Sequence, residues 1–260
     1  MDLFANTQPI IGMVHLLPLI ESPAYGGDLD AIYARALADA RALSEAGADA
    51  LIVENFGDEP YLNGEPTTAQ LALMAAISRE VKLNVSIPVG VNVQFNAWEA
   101  EIAVAHAVGA SFVRVEVFVD TVVSAQGIVH PCSAQITRYR RALGASGVQL
   151  WADIQTKYTT NILPQALSQS ALDAQAAGAD VLIVTGAATG QATPLDAVAE
   201  AKKVVKIPVV VGSGTAITNV KDVLKVADGA IVGSSLKVGG KATNAVSLAS
   251  TKAFMAAARG

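Results

Sequence analysis

Short, continuous apolar runs alternate along the chain with longer alanine-rich stretches whose apolar positions recur every three or four residues. The first pattern suits parallel strands covered by helices, the second amphipathic helices. Strands are predicted at Ile10–His15, Ala50–Glu54, Pro88–Val93, Phe112–Val115, Gln149–Ile154, Val181–Val184, Pro208–Gly212 and Ala230–Gly233. Helical patterns lie between them at Leu29–Ala46, Thr67–Val81, Ala97–Val108, Ser133–Leu143, Gln165–Ala177, Leu195–Val204, Asn219–Val226 and Asn244–Ala258. Eight strands and eight helices in strict alternation predict an α/β fold, a (β/α)8 TIM barrel forming one domain over residues 1–260.

A recurring phrase supports that count. EAGADALIVEN from Glu45, HAVGASFVRVEV from His106, QAAGADVLIVTG from Gln175 and VADGAIVGS from Val226 each end a helix and enter a strand at once. Gly47 and Gly178 stand about half a chain apart, which suggests two similar half-barrels. No GxGxxG follows the first strand, as a dinucleotide-binding fold would require. The longest loops follow strands one, two, four and five, so those loops should overhang the active face.

Composition narrows the function classes. Hydrophobic residues make up 52% of the 260 and charged ones 16%, enough for a well-filled core. The net charge of −5 and the lack of any basic cluster argue against nucleic acid. A single cysteine, Cys132, allows no internal disulfide and fits a cytoplasmic protein. Met1–Thr7 carries an Asp and no positive charge, unlike a secretory signal. The apolar run from Pro9 to Ile20 is interrupted by His15 and Pro18 and is too short to span a bilayer, which leaves only peripheral membrane association open.

The candidate chemistry stands at strand ends, where barrels carry their sites. KIPVVVGSGT and ADGAIVGSSL, on the last two strands, each end in a glycine–serine turn. Gly212, Ser213, Gly214, Gly233 and Ser234 would present backbone N–H groups to a phosphate, aided by a following helix start; otherwise they are tight turns. His15 is a candidate acid, base or ligand contact, or a satisfied core residue, whereas His106 and His130 fit the surface. Glu54 and Asn55 end the second strand, and Asn92 and Asn96 follow the third as candidate ligands of hydroxyls or a carbonyl. Arg114 and Glu116 share one face of the fourth strand, as substrate contacts or as a salt network in the lumen. Asp153 is the candidate general base. Lys157 is placed to hold a carboxylate, neutralise Asp153, stabilise developing charge or form a Schiff base. Thr185, Gly186, Thr189 and Gly190 form a loop that either closes over a ligand or is merely flexible. No metal-binding spacing is present, and no cofactor is expected; Mg²⁺ on Glu54 or Asp153 has no support in the sequence.

GMVHLLPL (12–19), VENFGDEP (53–60), GVNV (90–93), FVRV (112–115), the strand-five AD with Lys157, VTG, GSG and DGAIVGSSLK, taken in order, resemble the BtpA/SgcQ family. The resemblance covers essentially the whole chain. It implies a barrel related to phosphate-binding enzymes of tryptophan and histidine synthesis. Its members are named for photosystem I biogenesis in cyanobacteria and for a sugar phosphotransferase operon in enteric bacteria, and neither name gives a reaction. The chain departs from the family pattern in Phe95 and Ala97, where Arg and Asp are expected, in Glu116 for Asn, and in Gln155 and Tyr158 for histidines. These departures bear on the reacting end of a ligand, since the glycine–serine turns are intact.

The function these residues predict is an enzyme, an isomerase or lyase, moving protons beside a carbonyl of a small phosphorylated ligand. The ligand would be a sugar phosphate or phosphoribosyl compound, with Asp153 or Glu54 as base, His15 as acid and Lys157 stabilising charge. Two alternatives are a hydrolase of nucleosidase or phosphatase type and a non-catalytic assembly or stability factor for a membrane complex. An apolar patch on the outer helices would favour the second. Self-association into a homo-oligomer is expected because barrels commonly pair.

Overall fold

The computed structural model describes residues 3–5 and 8–260; of the leading segment, Met1, Asp2, Asn6 and Thr7 lie outside them. In chain order the strands are β1 (Ile10–His15), β2 (Ala50–Glu54), β3 (Val89–Asn92), β4 (Phe112–Val115), β5 (Val122–Ser124), β6 (Gly127–Val129), β7 (Gln149–Ile154), β8 (Thr160–Asn161), β9 (Val181–Val184), β10 (Val209–Val211) and β11 (Gly229–Val232). All but β5, β6 and β8 are parallel and close into an eight-stranded barrel, with β11 pairing back onto β1. The helices are α1 (Leu29–Glu45), α2 (Thr68–Asn84), α3 (Trp98–Val108), α4 (Ser133–Ala142), α5 (Leu167–Ala176), α6 (Leu195–Val204), α7 (Val220–Val226) and α8 (Leu248–Arg259). This is the predicted TIM barrel.

Local chemistry sets the boundaries. The Asp28 carboxylate accepts from the Ala31 N–H and starts α1. Thr67 and Gln70 form a reciprocal capping box at α2. Gly109, left-handed at φ 77°, stops α3 just before β4. The alanine-rich helices pack on the barrel in one large apolar layer, and a smaller cluster fills the lumen with Ile11, Met13, Ile52, Phe112, Trp151 and Ile183. Phe112 and Trp151 stack there with centroids 4.1 Å apart. Position 90 must be glycine, because a Cβ there would sit 2.3 Å from the Phe112 ring.

Two expectations at the active face change. The last helix begins at Leu248 and not Asn244, since the Ser247 hydroxyl caps it and a bridge between Lys237 and Val246 holds the preceding residues in a turn. The loops after β4 and β7 contribute β5, β6 and β8 to a three-stranded antiparallel sheet that no sequence pattern announced. Among the described residues, no helix is long and apolar enough to cross a membrane.

Candidate functional site

Along each barrel strand every second side chain faces the lumen, and these positions turn polar toward the C-terminal end. On β1 the series is Ile11, Met13, His15; on β2 it is Ala50, Ile52, Glu54. Arg114 follows Phe112 on β4, and Asp153 follows Trp151 on β7. Register sets His15 beside Glu54 and Glu54 beside Asn92. His15, Glu54, Arg114 and Lys157 line a narrow inner cavity together with Gly212–Thr215, Gly233 and Ser234. Glu54, Arg114 and Lys157 also line an outer cavity of about 660 Å³, so the two are joined at these side chains.

The inner end is built from backbone. Ser213, Gly214, Gly233 and Ser234 have N–H groups with no acceptor among the described residues. The Gly212 N–H is not available as expected, because it donates to the Val184 carbonyl at 2.8 Å in continuation of the sheet. Thr215 lines the same cavity, and its buried hydroxyl has no partner. Gly214 is left-handed at φ 68°, and a Cβ there would lie 2.1 Å from the Gln191 carbonyl oxygen, so only glycine fits. The loop after β9 is packed down on this turn: the Ser213 hydroxyl donates to Ala188 and Gln191, and Thr193 donates to the Ser213 carbonyl. Thr189 and Gly190 of that loop reach the cavity; Thr185 and Gly186 do not line it. No helix start adds to the first turn, since α7 begins only after Asn219, whose amide instead donates to the Gly214 carbonyl.

Above these turns the charged side chains differ in freedom. Arg114 and Asp153 form a two-pronged ion pair, both distances 2.9 Å, in full burial. Burial works against the Arg114 charge, but Asp153, with Glu54 and Glu116, more than offsets it and the pKa lies above the ordinary arginine value. Thr156 donates to Asp153 at 3.1 Å. Both carboxylate oxygens are thus occupied and Asp153 lines neither cavity, which weighs against the expected role of general base. The lumen network does exist, but Arg114 pairs with Asp153 and not with Glu116.

Glu54 has the opposite surroundings. Oε1 accepts from the Gln94 amide at 3.3 Å, while Oε2 is buried with no partner. Burial raises its pKa, and the positive charges of Arg114 and Lys157 offset part of that rise. Lys157 makes no ion pair with a described residue; burial first, then Arg114, lowers its pKa. This desolvation meets one requirement of a Schiff-base lysine as well as of an electrostatic one.

The His15 ring stacks on Phe56, with centroids 4.2 Å apart. Its Nδ1 lies 2.9 Å from the Ala242 carbonyl, which can only accept, so Nδ1 carries the hydrogen. Burial and the Lys237 charge hold the pKa well below the ordinary histidine value. A neutral ring with a bare Nε2 accepts a hydrogen bond and has no proton to give from that atom. This arrangement favours acceptance at Nε2 over the proton donation expected of His15.

Several predicted ligands are scaffold. Asn55 bonds Asp58 and the Gln94 N–H, and the Asn96 side chain accepts from the Val117 N–H. The Asn92 amide donates toward Glu101 at 3.0 Å and Glu116 at 2.6 Å, holding two buried carboxyls together. Only Glu116 of this group lines the outer cavity. Asn96, Gln155 and Tyr158 are all left-handed, at φ 56°, 48° and 60°, so non-glycine strain gathers at the mouth. Cys132 is buried and its thiol is pushed up by burial, which leaves it inert. His106 and His130 are exposed. Among the described residues no three His, Cys, Asp or Glu side chains converge as metal ligands. Sequence reading missed Thr215, although it directly follows the glycine–serine turn, and it missed Phe56, Tyr61 and Gln126, which carry no signal until loops assemble.

Burial and neighbouring carboxylates raise Glu116 to about 7 from 4.5, with Asn92 and Arg114 restraining the rise. Glu101 lies well above its ordinary value for the same reason, so the two titrate as a pair. The native state binds this proton more tightly than the unfolded chain. Its stabilising contribution is therefore complete below pH 4.5 and is lost as pH rises through about 7. Glu116→Gln should remove a loss on the order of 3 kcal/mol across that window, read by urea unfolding of variant and wild type at both ends. Identical pH dependence in the two proteins would contradict it.

The BtpA family model matches residues 6–260. An uncharacterised protein of Pyrococcus abyssi is 40% identical over 249 residues, covering 95% of this chain and 94% of its own. The photosystem I biogenesis protein BtpA of Synechocystis is 37% identical over 262 residues, 99% of this chain and 91% of its own. Among solved structures, N-(5'-phosphoribosyl)anthranilate isomerase from Pyrococcus furiosus superposes with a TM-score of 0.61 over 96% of this chain and 98% of its own, at 16% identity, a likeness of fold.

Proposed function

The chain belongs to the BtpA family, and we propose that it is a one-domain barrel enzyme acting on a small phosphorylated sugar-like ligand by proton transfer. The observation that carries this reading is the set of unpaired N–H groups of Ser213, Gly214, Gly233 and Ser234 around the partnerless Thr215 hydroxyl. Ser213 is buried and Gly214, Gly233 and Ser234 are half-buried, and a phosphate dianion would satisfy their N–H groups together. The name of the Pyrococcus furiosus isomerase, a phosphoribosyl enzyme on the same fold, agrees with it. Glu54 is the base, since it lines the cavity beside the phosphate turns and its Oε2 has no hydrogen-bond partner. Lys157 stabilises the oxyanion that forms, and the His15 Nε2 accepts from a ligand hydroxyl. Isomerisation or a lyase step is the reaction class. Hydrolysis by paired Glu54 and Asp153 is disfavoured, because Asp153 is held by Arg114 and Thr156. A cytoplasmic, self-associating protein is part of the same reading.

Thermal unfolding against matched phosphorylated and unphosphorylated sugars tests the anchor. A bound member at about a hundred times its Kd adds about 2.7 kcal/mol, and only phosphorylated members are expected to do so. A second reading, as an assembly factor, is favoured by the exposed Val123 and Ile128 of the rim sheet, with Ile162 and Leu163 just beyond it, and by the name of the Synechocystis relative. That group lies on the mouth sheet and its flank, not on the outer helices, where Leu29, Leu83 and Leu172 are the exposed large residues. Inert phosphates, inorganic phosphate included, would bring this reading forward.

A further inference from the structure

The outer cavity is far larger than a sugar phosphate needs once its phosphate sits on the glycine–serine turns. Its walls are aromatic and apolar: Phe56, Pro60, Tyr61, Phe95 and Tyr158 contribute to them. The polar groups among these walls are the carboxylates of Glu54, Glu59 and Glu116, the amides of Gln94 and Gln126, the hydroxyls of Ser124, Thr156 and Thr189, and, at the junction with the inner cavity, the cations Arg114 and Lys157. Glu116 is 4% exposed, with Oε1 held by Asn92 and Oε2 by the Asn96 N–H, which fixes its carboxyl at the wall. Glu54, 4% exposed, keeps Oε2 without a partner at the junction of the two cavities. Gln94 and Gln126 supply amides. Flat apolar faces with fixed acceptors between them select a planar ring that presents N–H donors. The belt of Glu54, Arg114 and Lys157, shared by both cavities, leaves room for a sugar between the ring and the phosphate.

We propose that the outer cavity is a ring-binding subsite, lined by Phe95 and Tyr61 and read by Glu116, so that the ligand is a 5'-phosphoriboside bearing an N–H-donating aromatic heterocycle. This rests on the phosphate reading of the inner turns and names the other end of the same ligand. Phe95 is 7% exposed and lines the outer cavity.

The test is isothermal titration of the whole protein with inorganic phosphate, ribose 5-phosphate, and 5'-phosphoribosides of adenine, guanine and 5-aminoimidazole, with adenosine as the phosphate-free control. At least one ring-bearing phosphate is expected to bind about tenfold or more tighter than ribose 5-phosphate, the scale of stacking one ring on aromatic walls. Phe95→Ala should abolish that gain and leave ribose 5-phosphate binding unchanged. Phe95→Leu, which keeps the apolar volume and removes the flat face, serves if the alanine variant does not fold. Ribose 5-phosphate binding with no ring advantage, or a ring advantage indifferent to both variants, overturns the subsite and leaves the phosphate anchor standing. Inert inorganic phosphate and ribose 5-phosphate, with adenosine binding as well as its monophosphate, overturns the anchor and with it the composite ligand.

Discussion

Glu54→Gln is expected to lower turnover of the phosphorylated ligand by about a hundredfold or more while leaving its binding within a few-fold of wild type. The argument is positional. Glu54 closes β2, where the inward series Ala50, Ile52, Glu54 turns from apolar to charged, and one carboxylate oxygen is buried without a partner. Burial raises its pKa above the ordinary glutamate value, the direction that suits a group that must accept a proton and return it. Glutamine keeps the volume and the bond to Gln94 but cannot take a proton. The measurement is steady-state turnover, with loss of solvent deuterium incorporation into bound ligand as a second readout. Turnover within threefold of wild type would remove Glu54 from the base role. Asp153→Asn is expected to act differently, through stability, because Asp153 faces Arg114 and not the cavity.

Arg114→Met should cost about 3–5 kcal/mol of stability, the scale for removing one partner of a buried pair. The loss is large because Asp153, 1% exposed, would be left buried with only the Thr156 hydroxyl for a partner. For a chain of this size that corresponds to a fall in Tm of about 10 °C. Arg114→Met combined with Asp153→Leu should recover most of it, since no unpaired charge is left. Thermal and urea unfolding of the two variants decides. A single variant as stable as wild type would mean the pair is not desolvated as its geometry implies. A double variant no better than the single would mean packing, not charge, makes the difference.

Much of this site was legible because the barrel puts strand ends together whatever the loops do. His15, Glu54 and Lys157 could be named from polar residues that close apolar runs, and the glycine–serine turns from their repeated chemistry on successive strands. Their roles were less legible. Asp153 reads in sequence as a free carboxylate, and its partner Arg114 lies on the neighbouring strand β4, 39 positions earlier. His15 takes its tautomer from Ala242, 227 positions away, and so accepts where donation was expected. The period-two alternation of inward side chains was hidden for a simple reason: in a parallel barrel both strand faces are buried, so both are apolar until the last position.

The sequence alone determined the barrel, its eight strands and the residues that end them, since hydrophobic period and helix-stopping glycines are local properties of the chain. Tertiary structure alone decided which of those residues are free to act. Whether a carboxylate is paired, an amide unsatisfied or a ring neutral depends on groups brought near by closure of the barrel, and on the burial that makes each such contact count. The rim sheet of β5, β6 and β8 belongs to that second class, because strands of two or three residues gain their hydrogen bonds only from one another.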